Sequence, residues 1–432
     1  MKIALVCCPP WSCHCPPLPL ATLQAQLKIH GHEVIPVDFH AQFNYSHKNM
    51  NRLLKILAYL YFQNAPKIFY PLFAAPNRYY KDFIGKISAE NPDVVCFSTY
   101  KYNMPVSIYT ASKLKKANQK IKIYFGGPGC INSALRDFAL KSGCIDKIIS
   151  SNAEYMMQEL LEILGNKTRI ADINEEPLPD FSGFQLERYD SRFLPYSTTR
   201  GCFKRCSFCF DIVFWKRYRQ KSAAKIYEDL KKLKELHGIN AFFFADSVML
   251  GTKGNIEEFC DLAIKNGLKI RWSGQIRAQN LDKVLLKKMR DAGCAGISIG
   301  IESGSQRILN LMNKDSNIMD VEAVVKDASE AGIRVTGLFI VGYPTETWKD
   351  YFKTIKFVIS NKRHLYKVYP HMLSILEGTK LHNTADALNI KRKGSFLWHS
   401  KGNNFLIRLL RFTILSCLAK LLVNKRPAMA KT

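Results

Sequence analysis

Three cysteines fall within eight residues in Cys202-Phe203-Lys204-Arg205-Cys206-Ser207-Phe208-Cys209, spaced Cys-x3-Cys-x2-Cys. Thiolates are soft ligands and select iron-sulfur clusters or zinc over hard cations. Structural zinc takes four Cys or His ligands at short spacing, and no fourth such ligand is adjacent. A four-iron cubane on three thiolates leaves one iron with an open coordination position, and chemistry can happen there. Three incidental cysteines, or a zinc knuckle completed by a distant His, are the plainer readings of the same residues.

Such a loop must be positioned by regular elements. It follows an apolar run at Tyr196–Thr199, and further runs occur at Ala241–Ala245, Lys269–Gly274, Gly296–Gly300, Val335–Val341 and Tyr366–Ser374. Helical periodicity over Ala224–His237, Leu281–Ala292 and Met319–Ala331 lies between them. Six βα units predict a partial (β/α)6 barrel of the TIM type, whose chemistry belongs at the carboxyl ends of the strands. Nearer the amino terminus, runs at Lys2–Cys7, Glu33–Val37, Val94–Ser98, Ile121–Phe125 and Ile145–Ile149 alternate with helix-like Leu18–His30, Val106–Lys116 and Glu154–Leu164. That alternation predicts an α/β doubly wound parallel sheet, with ligands beyond its strand ends. Between the two, Gly165–Leu194 carries Pro177, Pro179 and Gly183 without a sustained period and reads as a linker. The expected division is residues 1–164, a linker 165–194, a barrel 195–382 and a basic tail 383–432.

The 432 residues hold 63 Lys plus Arg against 36 Asp plus Glu, a formal charge of +27. That excess suits an acidic partner such as RNA, a phosphorylated or carboxylated substrate, or anionic lipid, and equally suits solvated lysines with no partner. Thirteen cysteines without a regular framework of pairs fit a reducing compartment, so the cytosol is expected. The run Ile3–Cys8 is too short for a secretory signal. Across 405–423 an apolar pattern is broken by Arg408, Arg411 and Lys420, while Ile407, Leu410, Ile414, Leu418 and Leu421 share one helical face. This predicts an amphipathic helix that either lies on a membrane surface or plugs the barrel.

The Cys-x3-Cys-x2-Cys spacing with Phe208 before the last cysteine resembles the radical S-adenosylmethionine (SAM) superfamily, over roughly Tyr196 to Leu381. Further segments carry the likeness. Asp246 stands where the family often has an acidic pair, Arg277 follows the third barrel strand, and Gly300-Ile301-Glu302-Ser303-Gly304 resembles the family's Gly-Ile-Glu-Ser-Gly. The strand ending at Gly342-Tyr343-Pro344 resembles the one that cradles adenine, and Glu377 replaces the proline of a Pro-Gly-Thr segment. The resemblance implies a 4Fe-4S cluster on Cys202, Cys206 and Cys209. It also implies SAM held near Phe208, Asp246, Arg277, Glu302, Ser303 and Gly342, and a 5′-deoxyadenosyl radical as the product of SAM cleavage.

The amino-terminal part resembles the cobalamin-binding domain fused to many radical enzymes, through Pro16–Ala21, Gly31–Val34, Ser98-Thr99 and Gly126-Gly127-Pro128. Leu18, Ser98, Thr99, Gly126, Gly127 and Pro128 are the implied cobalamin contacts. The Asp-x-His-x-x-Gly ligand motif of free-standing cobalamin domains is absent, and Ser151-Asn152-Ala153-Glu154 stands where a Gly-Glu-Gly-Glu turn is usual. Cys7, Cys8, Cys13, His14 and Cys15 crowd the first loop and read as buried or redox-active thiols rather than a second metal site.

The leading expectation is cobalamin-dependent methylation of an unactivated carbon on a small-molecule, lipid or peptide substrate. An external donor such as flavodoxin or ferredoxin would supply electrons. Ring formation, rearrangement or oxidation by the same radical, and RNA methylthiolation, are alternatives. Nucleic acid is not the expected partner, since no β-rich extension follows residue 381. The non-enzyme alternative is an electron-transfer or redox-sensing protein, which would prefer four thiolates.

Overall fold

The computed structural model describes residues 1–9, 14–39, 41, 78–151, 153–166, 172–279 and 281–424. Contacts group the chain into two compact units, Met1–Tyr196 and Ser197–Thr432.

In the first unit, β1 (Lys2–Cys7), β2 (Glu33–Asp38), β3 (Val94–Ser98), β4 (Lys122–Gly126) and β5 (Lys147–Ile148) form one sheet in the order β2-β1-β3-β4-β5. Every pairing in it is parallel. Helices α1 (Leu18–Ile29), α2 (Arg78–Ala89), α3 (Met104–Ala117), α4 (Ser133–Leu140) and α5 (Ala153–Ile163) accompany the strands. Ile3 to Cys7 is buried without a break, as a strand covered on both faces must be. Strand order reverses between β1 and β3, the point beyond whose carboxyl ends doubly wound sheets generally take ligands. The predicted strand Ile145–Ile149 shrinks to two residues because the Asp146 carboxylate takes the Ile123 amide at 2.8 Å.

A second sheet is built by β6 (Leu194–Tyr196), β9 (Ala241–Phe244), β10 (Arg271–Ile276), β11 (Cys294–Glu302), β12 (Arg334–Val341) and β13 (Leu365–Met372) in the order β13-β12-β11-β10-β9-β6. It is open, with β13 and β6 as edges. Between β6 and β9 lie β7 (Thr199–Arg200), α6 (Asp211–Phe214), β8 (Arg219–Gln220) and α7 (Ala223–His237). The rest comprises α8 (Lys253–Lys265), α9 (Lys283–Asp291), α10 (Gln306–Leu311), α11 (Ile318–Glu330), α12 (Trp348–Ser360), α13 (Lys380–Asn383), the hairpin β14 (Lys391–Arg392) and β15 (Trp398–His399), and α14 (Phe405–Leu422). Along β12, Val335, Gly337, Phe339 and Val341 are buried while their neighbours are half-buried, the period-two pattern of a strand.

Two expectations change. The predicted strand Tyr196–Thr199 breaks into β6 and β7, and β7 pairs antiparallel with β8. The break has a cause: the Thr198 and Thr199 amides turn away from the ladder and donate to the Asp246 carboxylate at 2.9 to 3.1 Å. The second change concerns α14, whose inward face is set by its arginines rather than by its leucines. Arg408 and Arg411 are each 1% exposed. Arg408 donates to the carbonyls of Leu373, Phe396 and Trp398 and lies 3.7 Å from the Trp398 ring centre. These acceptors satisfy the guanidinium, so it can be buried without the usual cost of an unpaired charge.

Candidate active site

The cluster motif occupies the turn after β7, at the carboxyl end of the sheet. Gly201 opens it at φ +73°, and a Cβ there would meet the Arg217 carbonyl at 2.8 Å, so the loop closes tightly on its own return. Cys206 is buried; Cys202 and Cys209 are half-buried. Burial pushes the Cys209 thiol up to about 12, and the neighbouring Cys206 and Cys202 add to that rise. Cys202 is raised by burial too.

Four strand ends hold the loop in place. From β10, Arg277 Nη1 lies 3.6 Å from Cys206 Sγ while its Nη2 donates to the Lys314 carbonyl. From the segment after β11 and α10, the Met312 carbonyl accepts the Ser207 amide at 2.8 Å, and Asn313 Nδ2 donates to the Arg205 carbonyl at 2.8 Å. From the turn after β12, the Tyr343 hydroxyl stands 3.1 Å from Ser207 Oγ and donates to the Leu311 carbonyl at 2.8 Å. After β13, the Leu381 amide donates to the Ser207 carbonyl at 2.8 Å. Phe208 packs against a buried cluster that includes Ile308, Met312, Leu373 and Trp398.

The other implied SAM residues have distinct settings. Glu302 ends β11 in the left-handed region, φ +63°, a strained conformation for a side chain of this size. Its Oε1 accepts from Lys314 Nζ at 2.7 Å, and both side chains are nearly buried. Ser303 is engaged elsewhere, with its Oγ 3.3 Å from Thr354 Oγ1 and accepting the Ser305 amide. Gly342 has φ +86°, its amide donates to Glu346 Oε2 at 2.9 Å, and a Cβ would meet Arg408 Cγ at 2.4 Å. Both Asp246 oxygens accept from Ser197, Thr198 and Thr199, so this carboxylate shapes the backbone leading into the cluster loop. Burial raises its pKa in spite of those donors. The structure thus brings Cys202, Cys206, Cys209 and Arg277 together, with Lys314 linking Arg277 to Glu302.

Two residues of this site escaped the sequence reading. Asp211, two residues past Cys209, has a buried Oδ2 with no hydrogen-bond partner among the described residues, and burial raises its pKa. Its closeness to the motif was the available signal. Lys314 gave none, and the segment containing Tyr343 did not reveal its contact with Ser207, because both partners are brought in by the fold.

Among the described residues, no three His, Cys, Asp or Glu side chains are grouped to hold a single metal ion. A cubane asks for something else, since each thiolate takes a different iron. A short loop presenting three thiols to one another's charge, with a guanidinium at Cys206, fits that group.

At the carboxyl edge of the first unit, the Thr99 amide and hydroxyl both donate to the Gly126 carbonyl, at 2.7 and 2.8 Å. Gly127, at φ +100°, passes so close that a Cβ would lie 2.5 Å from the Thr99 carbonyl. Pro128 opens a short 3-10 turn, and Leu18 opens α1. Ser98, Gly126 and Gly127 are small, so no bulky side chain from them covers the ends of β3 and β4, as a broad planar ligand requires. Cys7 and Cys8 are buried, and burial raises both thiols, Cys8 to about 12. Cys13 and Asn152 lie outside the described residues.

Residues 196–358 match the Radical SAM superfamily. The match places a radical SAM domain at those residues. A radical SAM domain implies a 4Fe-4S cluster and SAM as cofactors. An uncharacterized methyltransferase of Pyrococcus horikoshii is 27% identical to this chain over 306 residues, 64% of the chain and 66% of that protein. The anaerobic magnesium-protoporphyrin IX monomethyl ester cyclase of Cereibacter sphaeroides is 35% identical over 152 residues, 34% of the chain and 25% of that enzyme. The chain therefore spans less than two thirds of either relative. The radical SAM methyltransferase TsrM of Kitasatospora setae, solved with cobalamin and a 4Fe-4S cluster bound, superposes with a TM-score of 0.66 at 15% identity. That superposition covers 91% of this chain and 79% of TsrM. At such identity the likeness establishes the shared fold of both units.

Proposed function

We propose that this protein is a radical SAM enzyme that methylates an unactivated carbon of a small molecule with the help of cobalamin. The observation that carries the proposal is the pairing of folds. A three-thiol loop is clamped from four strand ends of an open β/α sheet, in a chain that also holds a five-stranded parallel sheet ending in Ser98, Gly126 and Gly127. The names of the P. horikoshii relative and of TsrM as methyltransferases support the same reading.

In this proposal Cys202, Cys206 and Cys209 hold the cluster, and Arg277 places positive charge against the Cys206 sulfur. Glu302, strained and paired with Lys314, presents a carboxylate for the amino group or ribose of SAM. The Gly342–Pro344 turn offers backbone to the adenine, and Leu18, Ser98, Thr99, Gly126, Gly127 and Pro128 form the edge for cobalamin. The bound cofactors supply a 5′-deoxyadenosyl radical and a transferable methyl group. Residues 1–164, 165–194, 195–382 and 383–432 are its working parts, and a lipid or peptide is within the substrate class.

Anaerobic reconstitution with iron and sulfide, followed by SAM and a strong reductant, tests the proposal. Formation of 5′-deoxyadenosine that disappears in Cys206→Ala, with hydroxocobalamin retained through gel filtration, is the expected result. A reconstituted cluster that never cleaves SAM would leave an electron-transfer protein. Cleavage without corrinoid binding would leave a radical enzyme of another outcome.

A further inference from the structure

The surface formed by α14 and α12 is built unlike an ordinary helical surface. Leu406, Leu410 and Leu421 of α14 are 72%, 52% and 61% exposed, while its two arginines are turned inward. Its exposed residues from Leu406 to Leu422 are uncharged apart from Lys420. Water-facing helix surfaces normally carry the charges and bury the leucines; here the order is reversed, and buried acceptors hold it that way. Glu346 takes Arg411 at 3.0 Å, and the Tyr351 hydroxyl of α12 donates to the Arg411 carbonyl at 2.8 Å. The apolar surface continues onto α12, where exposed Trp348 lies 4.6 Å from the Arg411 guanidinium and 6.0 Å from the ring of exposed Phe352.

The charge around this surface has one sign. Lys349, Lys353 and Lys356 are exposed on α12, whose one acid, Asp350, is buried. No Asp or Glu occurs between Ala387 and Thr432.

We infer that α14 and the adjoining edge of α12 lie in the plane of an anionic lipid bilayer. In that arrangement the leucines enter the headgroup boundary, Trp348 sits at the interface and the lysines face lipid phosphate. Among the described residues no helix is long and apolar enough to cross a membrane, and α14, at 18 residues, is suited to lying flat. A second copy of the chain would cover the leucines only by bringing two acid-free basic surfaces together, which like-charge repulsion opposes. The inference is independent of the reaction assigned above.

Vesicle flotation of the full chain tests it, using phosphatidylcholine vesicles with and without phosphatidylglycerol. Flotation with the anionic vesicles and little with the neutral ones is expected. Leu406→Asp with Leu410→Asp should lower the partition coefficient by at least about tenfold, while Val284→Asp with Met319→Asp, the same charge change on other exposed apolar positions, should leave the leucine-dependent part intact. Unchanged far-ultraviolet circular dichroism shows that each variant is folded. Brominated acyl chains should quench fluorescence that Trp348→Phe removes. The inference is overturned by absence of flotation, by flotation insensitive to the leucine substitutions, or by a dimer in light scattering that those substitutions dissociate.

Discussion

Arg411 Nη1 and Glu346 Oε2 stand 3.0 Å apart, each side chain about 1% exposed, and the same Glu346 oxygen accepts the Gly342 amide at 2.9 Å. The carboxyl-terminal helix is thereby tied to the turn that carries one of the implied SAM contacts. Burial pushes the Glu346 carboxyl up to about 7, against the opposing pull of Arg411 and the Gly342 amide.

Removing one partner leaves the other charged and dry. Arg411→Met should cost about 3–5 kcal/mol, and Arg411→Met with Glu346→Gln should cost clearly less than the sum of the two single changes. Urea unfolding of the four proteins in the cycle measures the coupling, and additivity would show that the pair contributes nothing as a unit.

Gly342 cannot take a side chain where it stands. At φ +86°, with Arg408 Cγ 2.4 Å from the position of a Cβ, Gly342→Ala should destabilise by more than about 1–3 kcal/mol. Arg408→Ala in the same chain should recover the part due to the clash and leave the part due to φ. Equal loss in single and double variants would mean that the helix yields freely.

Arg277 reaches Cys206 Sγ without being a ligand. Arg277→Met should weaken cluster retention or SAM cleavage by about ten- to a hundredfold, with Arg277→Lys intermediate. Iron release to a chelator, followed anaerobically, checks the first effect, and 5′-deoxyadenosine yield per cluster checks the second.

Asp350 predicts an acid-sensitive limb. Burial works to raise its pKa, but bonds from Arg307, Thr347 and Ser305 prevail and hold the carboxyl far below its ordinary 3.8. A lowered folded pKa contributes stability that is complete above the unfolded value, about pH 4, and is lost as pH falls below it. Asp350→Asn also removes the capping box of α12, so it should cost about 1–2 kcal/mol at neutral pH and flatten the decline in thermal midpoint below pH 4. A parallel decline in both proteins would assign the acid limb to other carboxylates.

Gly127 tests the first unit. Gly127→Ala drives a methyl group toward the Thr99 carbonyl at 2.5 Å and forces an unfavourable φ, so corrinoid retention should fall at least about tenfold. SAM cleavage, assigned to the second unit, should persist. Undiminished retention would remove this edge from the proposed cobalamin contacts.

Much of this was legible beforehand, because local spacing has local consequences. Three thiols within eight residues must share one loop, and runs such as Ile3–Cys7 must be buried strands whatever lies around them. Strand and helix alternation then left few topologies open. Boundaries were less secure where a distant side chain competes with the ladder, as Asp246 does for the amides of Thr198 and Thr199. Local spacing and periodicity were enough to specify the cluster loop, the two α/β sheets and a helix over 405–422. That Lys314 faces Glu302, that Tyr343 braces Ser207 and that α14 turns Arg408 and Arg411 inward follows from long-range packing alone. A guanidinium chooses its side of a helix by where carbonyls, a carboxylate and aromatic faces await it, and those partners come from residues far away along the chain.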